Sequence, residues 1–173
     1  MDSEGLFQQP RKRLYVCHDH IVDGQAYETF TRLFATRFEI VHDQSLEREL
    51  DEGDGEGFVR GLRGEMMLGC DCAVVLCGKA TYLDRYVDWE IKAALEERMG
   101  LAGVVLPSNP LDAQGMPLLP ERMQINFDGG YAVICRWDDI VSTKVDLGAR
   151  LNFAMDRDRI LIKNDLPLRS RGG

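Results

Sequence analysis

The chain has 173 residues, 29 acidic and 21 basic side chains and a formal net charge of −8. Its length suits a single domain, and a composition of 45% hydrophobic and 29% charged residues excludes a wholly disordered chain and a coiled coil. The acidic balance argues against a nucleic acid partner, and no apolar run reaches the ~20 residues that a membrane span requires.

The negative charge is concentrated in residues 43–57, which hold seven acidic side chains and one basic side chain. The part from 51 to 57 consists only of Asp, Glu and Gly, so it has nothing apolar to bury. We predict a surface loop there. Because the rest of the chain is close to neutral, an anionic ligand is not excluded from it.

Cysteine usage indicates a cytoplasmic protein. The chain has five cysteines, an odd number, and most lie in or beside apolar runs, which is typical of free thiols in a reducing compartment. The first ten residues also lack the apolar core of a signal peptide. The Cys-x-Cys spacing of Cys70 and Cys72 does not match the ligand spacing of zinc sites, so we predict no metal site.

The first half of the chain alternates between short apolar runs and helical periodicity. Residues 13–17 are an apolar run bounded by charge and predict a first strand. Between 24 and 37 the apolar side chains recur at steps of three and four, which predicts a helix with one buried face. Residues 38–41 predict a second strand, and residues 58–68 predict a second helix that two internal glycines weaken.

The middle of the chain carries the strongest patterns. Residues 72–77 are apolar throughout, which is typical of a strand covered on both faces in a parallel sheet. Residues 85–99 predict the helix with the strongest pattern, with Thr81 or Asp84 as its N-cap. Residues 101–106 then predict a further buried strand.

The last third of the chain is less regular. Residues 107–120 contain four prolines and predict an irregular insertion. Residues 131–135 predict a strand and residues 141–155 a last helix, whereas the tail from Asp165 onward is expected to fray. We divide the chain into a flexible N-terminal segment, one domain and a C-terminal tail, at residues 1–11, 12–160 and 161–173.

The alternation of strands and helices predicts an α/β fold, an open parallel sheet of about five strands with helices on both faces. We expect the flavodoxin-like strand order 2-1-3-4-5, which creates a ligand crevice outside the carboxyl ends of strands 1 and 3. Strand 1 ends at residues 17–20 and strand 3 at residues 77–81. These segments should flank the crevice, beside the start of the helix 85–99.

Glu90 is the candidate catalytic residue beside this crevice. It falls in the second turn of the predicted helix, at the edge of the apolar stripe, where a carboxylate is half-shielded and close to the positive end of the helix dipole. Such a carboxylate can stabilise a developing cation or orient a sugar hydroxyl. The alternative is an ordinary surface glutamate, because acidic residues are common near helix starts.

Polar residues at the two strand ends are candidates for ligand contact. His18, Asp19 and His20 follow strand 1; a metal would need further ligands, and adjacent residues of an extended segment point to opposite sides. The alternative is a polar strand end at which Asp19 starts a turn. The turn 78–81 offers backbone amides, a lysine and a hydroxyl that can hold a phosphate, although it does not have the P-loop pattern.

Two other classes that share this topology fit less well. A phosphate-accepting receiver domain needs an Asp at the end of strand 3, where this chain has Cys77, Gly78 and Lys79. A flavodoxin needs a phosphate loop rich in Ser and Thr after strand 1, and residues 18–24 contain neither.

The chain resembles the TIR-like family typified by the sensor subunit of the bacterial Thoeris anti-phage system. In that family strand 3 ends in Gly-x-x-Thr, and an aromatic or Arg, a Val, two variable residues and Glu-Ile follow. The similarity covers residues 12 to about 140, including the strand that ends in Cys135-Arg-Trp137. The stretches that carry it are Lys12–Cys17, Ala73–Thr81, Arg85–Ile91 and Gly103–Leu106.

The resemblance implies an enzyme of the NAD glycohydrolase or ADP-ribosyl cyclase type, with NAD as substrate and no cofactor. Glu90 matches the catalytic glutamate, which would stabilise the ribosyl cation as nicotinamide leaves. The product would be a cyclic or conjugated ADP-ribose signal that activates a separate effector. The residues that would line the NAD pocket are His18, Asp19, Asp43, Gly78, Lys79 and Thr81.

Two other functions remain open. The chain can be a non-enzymatic TIR-like module that self-associates or docks its acidic segment on a basic surface of a partner. It can also be a nucleoside or nucleotide N-ribosyl hydrolase or transferase, which uses the same glutamate chemistry on a related fold.

Overall fold

The computed structural model describes residues 10–41 and 55–170. Asp43 and residues 51–54 of the predicted acidic loop lie outside this part of the chain. The strands and helices, in chain order, are β1 (Arg13–Cys17), α1 (Gly24–Phe34), β2 (Glu39–Val41), α2 (Gly55–Gly61), β3 (Cys72–Cys77), α3 (Arg85–Glu96), β4 (Gly100–Val105), α4 (Glu121–Asp128), β5 (Val133–Arg136), α5 (Trp137–Val141) and α6 (Leu147–Met155).

The five strands form one parallel sheet in the order β2-β1-β3-β4-β5, which confirms the predicted fold class and strand order. β3 lies in the middle, and all six of its residues are buried, because it has a strand on each side and helices on both faces. An apolar run with no alternation is the sequence of such a strand.

Two cores cover the sheet, one on each face. Side chains of alternate residues along a strand point to opposite faces, so Tyr15 and Cys17 of β1 join the core under α2, α3 and α4. Leu14 and Val16 join the other core, under α1, α5 and α6. This division decides which side of the sheet each residue of the predicted crevice can reach.

The predicted helices on the first core differ in detail from the observed ones. The second begins earlier, at Gly55, so residues 55–57 of the predicted acidic loop are helical, and it continues as a π-helical turn over Leu62–Met66. Asp84 caps α3 by accepting the N–H of Tyr86 at 2.8 Å and of Val87 at 3.4 Å. Of the two predicted caps, Asp84 was therefore the right one.

The last third differs from the sequence analysis in two places. The predicted helix 141–155 begins too early: Val141 ends the separate helix α5, Thr143 adopts a left-handed backbone with φ of 59°, and α6 starts only at Leu147, with Asp146 as its N-cap. The helix α4 was not predicted. Its buried positions include Arg122 and Asn126, so it lacks the apolar periodicity by which a helix is identified in sequence.

The described part of the C-terminal tail, up to Ser170, does not fray as predicted. Residues 164–170, here called the C-terminal strap, lie along α3 and α4. The buried guanidinium of Arg122 donates to the carbonyl oxygens of Leu166 at 3.1 Å and Pro167 at 3.0 Å, and to the carboxylate of Asp88 at 2.9 Å. Asp88 in turn accepts the backbone N–H of Arg169 at 3.0 Å. A buried cation needs such acceptors, and the strap supplies them.

Among the helices of the described residues, none combines the length and the apolar character of a bilayer span. The division of the chain at residues 12 and 160 stays a prediction.

Candidate functional site

The carboxyl ends of β1 and β3 lie side by side at one edge of the sheet. Cys17 pairs with Val75, so the loop after β1 leaves the sheet two residues before β3 ends at Cys77. The two predicted walls of the crevice are therefore neighbours, as the strand order requires.

A hydrogen-bonded group of three residues joins these two walls. Thr81 Oγ1 accepts the N–H of Gly78 at 2.8 Å and lies 3.2 Å from a carboxylate oxygen of Asp23, which starts α1. Burial raises the pKa of the Asp23 carboxyl; the Thr81 hydrogen bond opposes the rise and the charge of Asp19 adds to it. Sequence reasoning missed Asp23, because its partner lies 58 residues away.

The turn 78–81 links the loop after β3 to the start of α1 through these hydrogen bonds. Thr81 is fully buried and its hydroxyl is engaged within the turn, whereas Lys79 is exposed at the rim. Gly78 is buried against Asp23. Of the three residues predicted to bind substrate here, Lys79 is the one whose side chain faces outward.

The polar residues after β1 lie on the α1 side of the sheet. The ring of His18 stacks on Tyr27 of α1, with ring centroids 4.4 Å apart and planes 7° from parallel, and meets the ring of His20 edge-on at 4.2 Å. Asp19 accepts the N–H of Ile21 at 2.9 Å, so it starts the turn that the sequence suggested.

Glu90 is buried more deeply than predicted. Its side chain is 1% exposed, and its Oε1 accepts a hydrogen bond from the hydroxyl of Tyr15 at 3.2 Å. Tyr15 belongs to the core under α2 and α3, whereas His18 stacks on α1. The predicted catalytic residue and the predicted substrate contact therefore lie on opposite faces of the sheet, and a ligand that touches both must cross the edge at the strand ends.

A cluster of aromatic rings lies along the same stretch of α3. Phe58 of α2, Tyr86 and Trp89 have ring centroids 5.3 to 5.6 Å apart, and the guanidinium of Arg85 lies 4.7 Å from the centre of the Tyr86 ring. Tyr86 comes one helical turn before Glu90, so the two share a side of α3. This spacing was the signal in the sequence that could have identified Tyr86.

The Glu90 side of α3 therefore carries a shielded carboxylate and an aromatic ring with a guanidinium over it, and an exposed lysine lies in the turn after β3. A carboxylate in a poorly hydrated setting can stabilise positive charge on a bound ligand. An aromatic face and a nearby cation suit a flat ring that carries phosphate.

An open parallel sheet of this strand order, with a carboxylate on the helix after the third strand, defines a flavodoxin-like, TIR-like α/β protein. The family model described as Thoeris protein ThsB, TIR-like domain, matches residues 15–110, from β1 through β4 and with Glu90 inside the match. The chain belongs to this family, which confirms the resemblance and assigns the chain a TIR-like role in anti-phage defence. No curated protein matches the chain.

Proposed function

We propose that this protein cleaves the nicotinamide–ribose bond of NAD, with Glu90 as its catalytic residue, and releases an ADP-ribose-derived signal for a separate effector. The observation that carries the proposal is the carboxylate of Glu90, shielded from water on the helix after β3, in a chain of the Thoeris TIR-like family.

The chemistry follows from the charge that develops on the sugar. When nicotinamide leaves with the electron pair of the bond, the ribose carbon becomes positive, and a carboxylate beside it lowers the energy of that state. Attack by water then gives ADP-ribose, and attack by a group within the same molecule gives a cyclic product. Because the side chain of Glu90 is buried, the crevice must open before the ribose reaches it.

The remaining residues suit the other parts of NAD. Tyr86 and Arg85 offer a ring face and a positive charge on the Glu90 side of the sheet, and Lys79 offers a second charge at the rim. His18 and Asp19 would contact the ligand from the α1 side. Asp43 would line the NAD pocket, as the family resemblance implies.

The direct test is release of nicotinamide from NAD, measured by chromatography with purified protein and in cells infected with phage. Glu90→Gln is expected to abolish release while circular dichroism stays unchanged. Glu65→Gln, at an exposed position of the turn after α2, is the matched control and should leave release intact. A wild type that stays inert in both settings, with infected cells equally protected by Glu90→Gln, would exclude the proposal.

A second candidate is a module that assembles with other proteins. Ile21 and its neighbour Val22 are 96% and 48% exposed in the loop after β1, on a turn that Asp19 holds, and adjoining exposed apolar side chains suit a protein contact. Ile21→Ser should then shift the chain to a smaller species in size-exclusion chromatography. A nucleoside N-ribosyl enzyme is separated from both by comparing NAD with nucleosides and nucleotides as substrates.

A further inference from the structure

Tyr15 carries a hydroxyl group into a core made largely of apolar side chains. It lies in the middle of β1, paired with Val41 of β2 and Ala73 of β3. The residue is fully buried, and its ring belongs to the core between the sheet and α2 and α3. From there its hydroxyl reaches Glu90, 75 residues later in the chain, at 3.2 Å.

Burial makes this contact costly to lose on both sides. A buried hydroxyl without an acceptor loses the hydrogen bonds that water gave it, and a buried carboxylate loses far more unless donors surround it. A phenylalanine would fill the space of the ring as well. The hydroxyl therefore contributes to this place in the core through the hydrogen bond that it donates to Glu90.

We propose that Tyr15 is a positioning residue for Glu90, and this inference rests on the proposed function. The hydroxyl fixes one carboxylate oxygen, which restricts the orientation of the Glu90 side chain on α3. A donor to a carboxylate also favours its charged form. Both effects serve a reaction in which a negative charge must already lie beside the ribose when nicotinamide leaves.

Tyr15→Phe tests the inference, because it removes the hydroxyl and keeps the ring. We expect kcat for nicotinamide release to fall by ~10-fold or more, because the Glu90 carboxylate is then less well oriented toward the ribose, with KM for NAD nearly unchanged. The acid limb of the kcat/KM profile should move to higher pH, since that limb reports the ionisation of an essential group in the free enzyme.

Tyr131→Phe is the matched control. Tyr131 is also fully buried in the same core, and its hydroxyl donates to the carbonyl oxygen of Met99. Its removal costs a buried hydrogen bond in the same way but leaves Glu90 untouched. We expect it to lower stability to a similar extent as Tyr15→Phe and to leave kcat and the pH profile where they are in the wild type.

A titration of the Glu90 carboxyl by carbon-13 NMR separates this inference from the proposed function, with Glu90→Gln used to assign the signal. The midpoint should move to higher pH in Tyr15→Phe and stay in place in Tyr131→Phe. If the wild type releases no nicotinamide, the proposed function fails and the titration alone decides the role of Tyr15. An unmoved midpoint overturns the inference, and so does an unchanged kcat and pH profile in an active enzyme.

Discussion

The carboxylate of Asp23 lies against the backbone of Gly78, so close that a β-carbon on Gly78 would be 2.3 Å from both of its oxygens. This contact joins the loop after β1 to the loop after β3. It explains a glycine at the end of β3 by the space that a neighbouring carboxylate occupies.

Gly78→Ala is expected to lower the free energy of unfolding by about 1–3 kcal/mol, because the added methyl group forces Asp23 or the turn to shift. Urea unfolding measures the loss. Gly64→Ala is the control, because nothing lies within 4 Å of its β-carbon position, and alanine is the better residue in a helical turn. An equal loss in the two variants would contradict this account of Gly78.

Asp23 should make the protein less stable as pH rises from acid toward neutral. Burial holds the pKa of the folded Asp23 carboxyl above its ordinary value of 3.8. At a pH between 3.8 and the folded pKa, the folded protein therefore binds more protons than the unfolded chain. The free energy of unfolding therefore falls as pH rises through that window. Asp23→Asn cannot ionise, so across the same window its stability should improve relative to wild type in urea titrations.

The hydroxyl of Thr81 limits the rise of the Asp23 pKa. It has one hydrogen to donate but two acceptors at 3.2 Å, the carbonyl oxygen of Leu76 and the carboxylate of Asp23. The hydrogen bond from Thr81 favours the charged form of Asp23 and so opposes the rise of its pKa. Thr81→Val removes this donor, so it should strengthen the pH dependence of stability that Asp23 produces in urea titrations.

Asp146 provides a contrast of opposite sign. Its exposed carboxylate accepts a hydrogen bond from Arg37 at 3.0 Å, which lowers the pKa of Asp146 below 3.8. Its contribution to stability is present above the unfolded value and is lost as pH falls through the folded pKa. The free energy of unfolding of Asp146→Asn should therefore rise relative to wild type as pH falls into the acid range, whereas that of Asp23→Asn should not. If the stability of both variants relative to wild type changed in the same direction with pH, these two carboxyls would not be the cause of the pH dependence.

The buried thiols should react slowly. Burial raises the pKa of Cys70 and of Cys135 to about 11, and thiol reagents attack through the thiolate. Near neutral pH the folded chain should therefore react with iodoacetamide much more slowly than the chain in urea, with Cys70, the more exposed of the two, modified first. Mass spectrometry of the labelled peptides measures both rates, and equal rates in the two states would contradict the burial of these thiols.

The same shifts predict loss of stability in alkali. The thiols of the unfolded chain ionise near 9.0, before those of the folded protein at about 11. The protonated buried thiols contribute stability that is fully present below pH 9.0 and is lost as pH rises toward the pKa of the folded thiols, about 11.

The sheet could be predicted from sequence because its signals are local. The apolar run of β3 and the alternation of elements depend on neighbouring residues, and they determine the strand order through general rules of parallel sheets. The choice of Glu90 rested on helical spacing and on a motif that lies within one stretch of chain. Each of these predictions needed no knowledge of distant contacts.

The rest depended on contacts between distant parts of the chain. Glu90 is buried against Tyr15, which lies 75 residues earlier in the chain. The helical wheel placed Glu90 only at the edge of the apolar stripe, because it contains no information on such a distant contact. The helix α4 was hidden because Arg122 faces inward, against the usual preference of arginine for the surface. A buried arginine becomes reasonable only once Asp88 and the C-terminal strap are seen beside it.

The ion pair of Arg122 and Asp88 holds the C-terminal strap to the helix that carries Glu90. Arg122→Met is expected to lower the free energy of unfolding by about 3–5 kcal/mol, because it leaves the carboxylate of Asp88 buried without its cation. The strap should also loosen, so trypsin should cut after Arg169 faster than in the wild type.

Arg63→Met is the matched control for this pair. Arg63 also binds two carboxylates, those of Glu96 at 2.8 Å and Glu97 at 2.6 Å, but its side chain is 40% exposed. Water screens such a pair, so its loss should cost no more than about 1 kcal/mol and leave the strap in place. Urea unfolding and timed proteolysis of both variants measure the difference. If the two arginines prove equally dispensable, the strap is held by its apolar contacts and not by Arg122.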